Sequence, residues 1–413
     1  MEIKNLKKAA KRILKAIEKK EKIILYGDAD LDGAASVIIL KESVKSLGGN
    51  ICAIYFPDRE IEGHGITKMG LEFLKKEAPA LLIAVDCGIG NLKETAMAKK
   101  MGFSVLIVDH HEVLDKMPKA DIIVDPKQKG DKYYFKGLAA AGVVFKLAEA
   151  LFEEKMAKRT ASSSSTTRAK TKGGEERKFF DSSCKQDSMT ENLRKNFLEL
   201  VALATLADMM PQEADNKVFI SEGLQSLENS WRPGIKAFFE TEFLEEFSGI
   251  SQKVAKIISV LNVRDVESRF PASFRLLTVV SLSEAGRIIE ELFERSKIRK
   301  EVINGTVDEI EKIIAEKDES IVFEGDSSFD LALLSAAASI ICQKFQKPVF
   351  LYKKMAKESQ GTVRVPSGVD SIALMKKCSK YPLAFGGHPK ASGFRIKNDN
   401  LEKFKTCLIE NYR

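Results

Sequence analysis

The residues Gly27-Asp28-Ala29-Asp30-Leu31-Asp32-Gly33 set three carboxylates on alternate positions. Such an array repels itself unless a cation sits among the oxygens, and hard oxygen donors of this kind suit magnesium or manganese. A D-x-D-x-D-G pattern also opens the calcium loop of an EF-hand, which needs Glu at its twelfth position. Counted from Asp28 that position is Ile39, and the segment follows an apolar strand rather than a helix. Two further acidic sites follow apolar runs, Ala84-Val85-Asp86-Cys87-Gly88 and Val108-Asp109-His110-His111-Glu112. The second is not the HExxH zinc-protease signature, because Asp115 stands where the second histidine is required. Adjacent histidines on one loop can divide two tasks, one ligating a metal and the other contacting substrate. The chain has four histidines, His64, His110, His111 and His388, all in polar, Gly-bounded or strand-end contexts. A fourth acid, Asp208, closes an apolar helical stretch just before Met209-Met210-Pro211.

The elements that must position these groups are legible in the apolar patterning. Short runs at Ile23–Tyr26, Ile51–Phe56, Leu81–Val85 and Val105–Val108 alternate with helical stretches at Ala34–Leu47, Thr67–Glu77 and Asn91–Met101. Buried strands alternating with helices predict a parallel sheet built from βαβ units. In an open α/β sheet ligands bind beyond the carboxyl ends of the strands. The Asp, Asp and Asp-His-His sites would then stand in one row. Ahead of them, Leu6, Ala9, Ala10, Ile13, Leu14 and Ile17 form one stripe of an amphipathic helix. From about 191 to 316 the pattern is mostly helical, with one or two long charged helices over 283–316. The last ninety residues or so return to mixed α/β, with strands expected at Ser320–Phe323, Pro348–Tyr352, Gly361–Val365 and near Ala391–Ile396, and a helix at Leu331–Phe345. The stretch 155–190, which includes Ala161-Ser162-Ser163-Ser164-Ser165-Thr166-Thr167, has no apolar periodicity and reads as a disordered insertion between two helices.

The chain has 413 residues and a net charge of +7. Residues 1–22 contribute +6 and residues 155–190 contribute +5, so the remainder is net −4. The body of the protein is not globally basic, and global charge alone argues only weakly for a polyanion partner. No apolar run reaches the ~18 residues that span a bilayer. The basic N-terminus lacks the apolar core of a signal peptide. Six scattered cysteines form no CxxC pair, which indicates neither a zinc knuckle nor a disulfide framework and suggests a reducing, cytoplasmic setting.

Taken together, these motifs resemble the DHH/DHHA1 phosphoesterase superfamily in its RecJ-like exonuclease branch. GDADLDG is similar to the family's first motif, AVDCG to its second, and VDHHE to the motif that gives the family its name. LATLADMMP resembles the fourth. Tyr55-Phe56-Pro57-Asp58-Arg59 with Glu62-Gly63-His64-Gly65 resembles the family's Pro-x-Arg and Gly-aromatic-Gly stretch, and Gly386-Gly387-His388-Pro389-Lys390 its C-terminal GGH signature. The resemblance implies an α/β fold with an N-terminal parallel-sheet DHH domain over 1–250, a helical linker region over 251–317 and a smaller α/β DHHA1 domain over 318–413. It implies two divalent cations, typically manganese with magnesium as the alternative, held by Asp28, Asp30, Asp32, Asp86, His110 and Asp208, with Asp86 between them. His111 would donate to a phosphate oxygen, and Asp109 would orient a histidine. Arg59, His64, Asn262, Arg364, Gly386, Gly387, His388 and Lys390 would contact the nucleic acid.

Departures from the family pattern are also visible. The family's Asn-Ala-Ala-Gly-Arg stretch corresponds to Leu261-Asn262-Val263-Arg264-Asp265, which keeps only the Asn, and its Gly-Ser-x-Arg-Ser strand to Gly361-Thr362-Val363-Arg364-Val365. The expected activity is a metal-dependent exonuclease on single-stranded DNA or RNA, with replication or repair proteins as partners and no membrane role. A phosphodiesterase of short oligonucleotides or cyclic dinucleotides is the alternative within the same chemistry. A non-catalytic scaffold of a replication complex is the alternative outside it.

Overall fold

The computed structural model describes residues 2–412 apart from 60, 114–115, 166–181, 264–265, 268, 316 and 318. Two compact units divide at Phe293 and Glu294. The first begins with α1 (Leu6–Glu18), β1 (Lys22–Gly27), α2 (Leu31–Ser46), β2 (Asn50–Tyr55), α3 (Lys68–Leu74), β3 (Ala80–Val85), α4 (Leu92–Lys100), β4 (Phe103–Val108) and β5 (Ile122–Val124). The five strands form one parallel sheet in the order β2-β1-β3-β4-β5. The direction of winding reverses between β1 and β3, the place where doubly wound sheets open a crevice.

The strands read as continuous apolar runs because both faces are covered. Ile23, Leu25, Leu81, Ile83, Val85, Leu106 and Val108 pack against α1 and α2 on one face. Their neighbours Ile24, Tyr26, Leu82, Ala84, Val105 and Ile107 pack against α3 and α4 on the other, with Leu71, Leu74 and Ala98. Side chains alternate across a strand, so each run feeds two cores. The α1 stripe foreseen from its periodicity is buried throughout, from Leu6 to Ile17.

The helical middle comprises α5 (Ala140–Ser165), α6 (Ser182–Ala207), α7 (Ala214–Leu227), α8 (Pro233–Phe239), α9 (Ile250–Leu261), the short ladder β6 (Val266–Glu267) with β7 (Phe270–Pro271), and α10 (Ala272–Thr278). The stretch 155–190, expected from composition to be disordered, is helical at both described ends. The apolar-stripe helices continue outward through Glu, Lys, Met and Ala, which are strong helix formers. Residues 166–181, the centre of that expectation, lie outside the described residues. The charged pattern over 283–316 is a single helix, α11 (Leu282–Ala315), which passes from the first unit into the second.

The second unit continues with β8 (Val322–Asp326), α12 (Leu331–Phe345), β9 (Val349–Lys354), β10 (Glu358–Arg364), α13 (Ser371–Lys377), β11 (Pro382–His388), β12 (Ala391–Lys397) and α14 (Leu401–Asn411). Its sheet runs β11-β12-β10-β9-β8, antiparallel except for the β8–β9 pair. The sequence gives no strand signal at β11, because Pro382, Gly386 and Gly387 all disfavour a strand interior. It lies at the sheet edge, where such residues are tolerated. The cysteine spacing indicates no disulfide framework and suggests a reducing setting, and one pair departs from that reading. Cys378, at the end of α13, is bonded to Cys407 in α14, with Cα atoms 6.0 Å apart across a sequence separation of 29. Spacing gave no signal because helix packing, not proximity in sequence, brings them together. Among the described residues no helix is long and apolar enough to cross a membrane.

Candidate metal centre

Each chemical group is fixed by the element that ends beside it. Asp28 directly follows β1, and its Oδ1 accepts the Ala29 amide at 2.8 Å. Asp30 caps α2, accepting the Gly33 amide at 2.9 Å, as short polar residues do at helix starts. Gly33 has no substitute: a Cβ there would lie 2.2 Å from the Asp28 carbonyl oxygen. Asp32 lies in the first turn of α2, and its two oxygens accept the amides of Ala140 and Ala141 at 2.7 and 2.8 Å. The start of α5 is thus an anion site filled by a carboxylate from within the chain.

Asp86 follows β3 with φ at 59°, in the left-handed region that a short polar residue can occupy. Its amide donates to the Val108 carbonyl at 3.0 Å. Asp109 follows β4, and its Oδ2 accepts the Ile89 amide at 2.9 Å. Its Oδ1 accepts the amides of His110 and His111 and lies 2.8 Å from His111 Nδ1. Asp208 stands at the C-terminus of α6, where the helix end is itself negative.

His110 is the pivot of the cluster. Its Nδ1 lies 3.0 Å from the Leu138 carbonyl oxygen, which can only accept, so Nδ1 carries the proton. Burial, reinforced by the His111 charge, lowers its pKa to about 4 and keeps the ring neutral. Nε2 therefore presents a lone pair to Asp86 at 3.3 Å, Asp208 at 3.6 Å and Asp32 at 3.8 Å. Asp86 Oδ1 and Asp208 Oδ2 are buried and accept no hydrogen bond. Burial and the charges of Asp208 and Asp30 raise Asp32 well above the carboxylate range. Burial and Asp32 do the same to Asp86, and burial with Asp30 lifts Asp208 to about 6. A lone pair facing three carboxyl groups, two of which present buried oxygens with no hydrogen-bond partner, makes a donor set that fits a cation.

Among the described residues three groups of donors have ligand atoms within 4.8 Å of one another: Asp28, Asp30 and Asp86; Asp32, His110 and Asp208; and Asp86, His110 and His111. Asp86 belongs to two of them. Arg59, foreseen as a substrate contact, is paired inside the cluster: Nε donates to Asp28 Oδ1 at 2.9 Å and Nη2 to Asp30 Oδ2 at 2.7 Å. Burial raises the Asp30 pKa, but the Arg59 guanidinium outweighs it and holds Asp30 below its ordinary value.

The other foreseen contacts are described in their own surroundings. His64 is exposed on the loop before α3 and Asn262 ends α9. Arg364, Gly386, Gly387, His388 and Lys390 belong to the second unit. There the Arg364 guanidinium donates to Ser335 Oγ, Ser339 Oγ and Thr362 Oγ1. Sequence reasoning missed Asp125, a fully buried acid directly after β5 whose Oδ2 has no hydrogen-bond partner. The signal was present, since Ile122-Ile123-Val124-Asp125 repeats the pattern of an apolar run closed by Asp.

A model of the DHH family, N-terminal domain, matches residues 22–169, and a model of the DHHA1 domain matches residues 318–412. The chain belongs to the DHH/DHHA1 superfamily. Within it the chain is RecJ-like. It is 29% identical over 423 residues to the single-stranded-DNA-specific exonuclease RecJ of Bacillus subtilis, covering 99% of this chain and 48% of that one. The corresponding RecJ of Salmonella typhimurium is 28% identical, over 96% of this chain and 67% of its own. A crystal structure of exonuclease RecJ bound to manganese has the same fold, with a TM-score of 0.75 at 22% identity over 100% of this chain and 96% of that one. RecJ of Thermus thermophilus in complex with Mn2+ gives 0.77 at 21%, over 99% and 55%. The DHH/DHHA1 chain described here spans about half the length of its Bacillus and Thermus relatives.

Proposed function

We propose that this chain is a divalent-metal-dependent exonuclease that hydrolyses phosphodiester bonds at an end of single-stranded nucleic acid. One observation carries the reading: the lone pair of His110 Nε2 faces two buried, unpartnered carboxylate oxygens, that of Asp86 at 3.3 Å and that of Asp208 at 3.6 Å. Similarity to RecJ exonucleases along nearly the whole chain supports the substrate class.

Asp28, Asp30, Asp32, Asp86, His110 and Asp208 would hold manganese, or magnesium in its place, with Asp86 shared between two ions. When bound, such ions neutralise phosphate charge and bring the pKa of a water near neutrality. The chain's own groups do the rest. His111, half exposed and raised to about 9 by its hydrogen bond to Asp109, is protonated at neutral pH and donates to a non-bridging phosphate oxygen. Asp109 fixes the imidazole of His111 and, through the adjacent amides, the turn that presents both histidines. The Leu138 carbonyl keeps His110 in the tautomer whose Nε2 is free to ligate. We read residues 1–250 as the DHH domain, 251–317 as a helical linker and 318–413 as the DHHA1 domain. Arg364, Gly386, Gly387, His388 and Lys390 of the last domain bind the strand, as do Arg59, His64 and Asn262 of the earlier segments.

The test is digestion of end-labelled single-stranded DNA and RNA of graded length, labelled at either end, with manganese and with a chelator. Stepwise release of nucleotides from one end of long strands, abolished by the chelator, is expected. Cleavage confined to dinucleotides, or none with manganese present, overturns the reading.

A further inference from the structure

On the loop that carries Arg59, between β2 and α3, lies a cavity of about 320 Å3 that the cation-binding chemistry does not use. That volume is at the lower end of the range for small-molecule sites. Its wall holds the rings of Tyr55 and Phe73, with centroids 5.6 Å apart. The guanidinium of Arg269 lies 3.9 Å from the centre of the Phe73 ring and 5.8 Å from that of Tyr55. Ile61, Met69 and Phe73 are 72%, 56% and 40% exposed, an apolar patch at the mouth. Arg269 has φ at 68°, a conformation that costs a non-glycine residue energy and tends to mark functional sites.

The charges at the rim narrow the ligand. Asp58 and Glu62 line the cavity with Arg269, two carboxylates against one guanidinium, which disfavours a phosphate. Glu62 is already engaged by the Tyr55 hydroxyl at 2.9 Å, the Thr67 hydroxyl at 2.6 Å and the Asp58 amide at 3.1 Å, so it fixes the wall rather than binding a ligand. What remains is an aromatic face, a stacking guanidinium and aliphatic edges. That combination suits a flat uncharged heteroaromatic ring. Asp58 of the lining is the residue before Arg59, which reaches Asp28 and Asp30, so the cavity and the acid cluster share one loop.

We propose that this cavity is a nucleobase site, taking one base of a single-stranded nucleic acid against the Phe73 ring. The Arg269 guanidinium, which covers that ring, slides onto the outer face of the base. The inference rests on the nucleic-acid reading above and adds a base contact to it. Stacking on any base is tolerant of sequence, so the site selects unstacked strands rather than a base identity.

The experiment is binding of fluorescent oligothymidylates in EDTA, each carrying one abasic residue at a successive position. The unmodified chain is expected to lose about tenfold in affinity when the abasic residue occupies one particular register, the order expected of one base–aromatic stack. The double variant Phe73→Ala, Arg269→Ala loses the same factor on the intact strand and nothing further at that register. In a Trp231→Phe background, Phe73→Trp carries the sole tryptophan. Its fluorescence is quenched by the intact strand and not by the strand abasic at that register, a signal that loss of folding would not produce. Abasic penalties that are equal at all registers, or unchanged in the double variant, overturn the base site while leaving the exonuclease reading standing. No binding of any strand by the unmodified chain overturns both.

Discussion

Nδ1 of His111 lies 2.8 Å from Oδ1 of Asp109, the same oxygen that accepts the His110 amide at 2.8 Å. The bond raises the His111 pKa to about 9. Burial opposes ionisation of Asp109, yet its hydrogen bond with His111 outweighs this and holds it at about 2. The two side chains are therefore an ion pair across neutral pH, seated on three backbone amides.

Replacing Asp109 by Asn should return His111 toward the ~6.5 of an unperturbed imidazole. Titration of the imidazole proton resonances would show it. Because the folded pKa of His111 is raised to about 9, its contribution to stability is full below ~6.5 and is lost as pH rises through about 9. The melting-temperature difference between the natural chain and Asp109→Asn should therefore be widest in mildly acidic solution and close above pH ~9. An unshifted His111 titration in the variant would remove Asp109 from its orienting role.

Asp86→Ala should abolish manganese uptake and cut hydrolysis by at least about a hundredfold, more than the loss of a supporting partner usually costs. In EDTA the same variant should melt higher than the natural chain at pH 8. It removes a buried acid whose pKa is raised first by burial and then by the charge of Asp32. Calorimetric titration with manganese and thermal melts in EDTA check the two halves. Turnover near that of the natural chain would sink the shared-ligand assignment.

Much of this cluster was legible because unbroken apolar runs such as Leu81–Val85 mark strands buried on both faces, and the acid after each run then falls at one sheet edge. Asp125 was overlooked although it obeys the same rule. What holds the side chains was not legible. The Leu138 carbonyl and the Ala140 and Ala141 amides are backbone groups, identical in every residue, and only the path of the chain gives them a role. Arg59 was legible only as a nucleic-acid contact, through the family resemblance, and its pairing with Asp28 and Asp30 was not, since it depends on how the loop after β2 folds back. The extent of α5 and α6 escaped composition because serine-rich termini can continue a helix whose apolar stripe is anchored elsewhere.

Glu199 offers a test away from the cluster. It is buried, with Oε1 3.1 Å from Arg232 Nε, while Arg232 also grips Glu42 at 2.8 Å. Burial lifts Glu199 to about 7 in spite of Ser230 and Arg232. Its contribution is thus present at low pH and lost as pH rises through about 7. Glu199→Gln should gain ~1–3 kcal/mol relative to the natural chain between pH 5 and 8.5. Urea unfolding at both pH values measures the swing, and a difference independent of pH would contradict it.

The adjacent glycines of β11 should behave differently. Gly387 has φ at 130°, and a Cβ there would lie 2.7 Å from the Ala391 carbonyl oxygen; at Gly386 nothing lies within 4 Å. Gly387→Ala should destabilise the second unit by ~1–3 kcal/mol. Gly386→Ala should change stability by less than ~0.5 kcal/mol, as an open surface site does, yet weaken strand binding. Denaturation and strand-binding assays on the two variants separate the roles, and unchanged binding in Gly386→Ala would mean that no strand passes there.

The seating of Asp32 on the amides of Ala140 and Ala141 spans sequence separations of 108 and 109. Closing loops of that length is slow, because chain entropy is lost before the distant contact rewards it. The acid array is therefore complete only once α5 has docked beside α2. A fragment ending before residue 140 could build most of the parallel sheet and still leave Asp32 without its two donors. Cation uptake consequently reports the seating of Asp32 on α5, and would serve as a natural clock for that step of refolding.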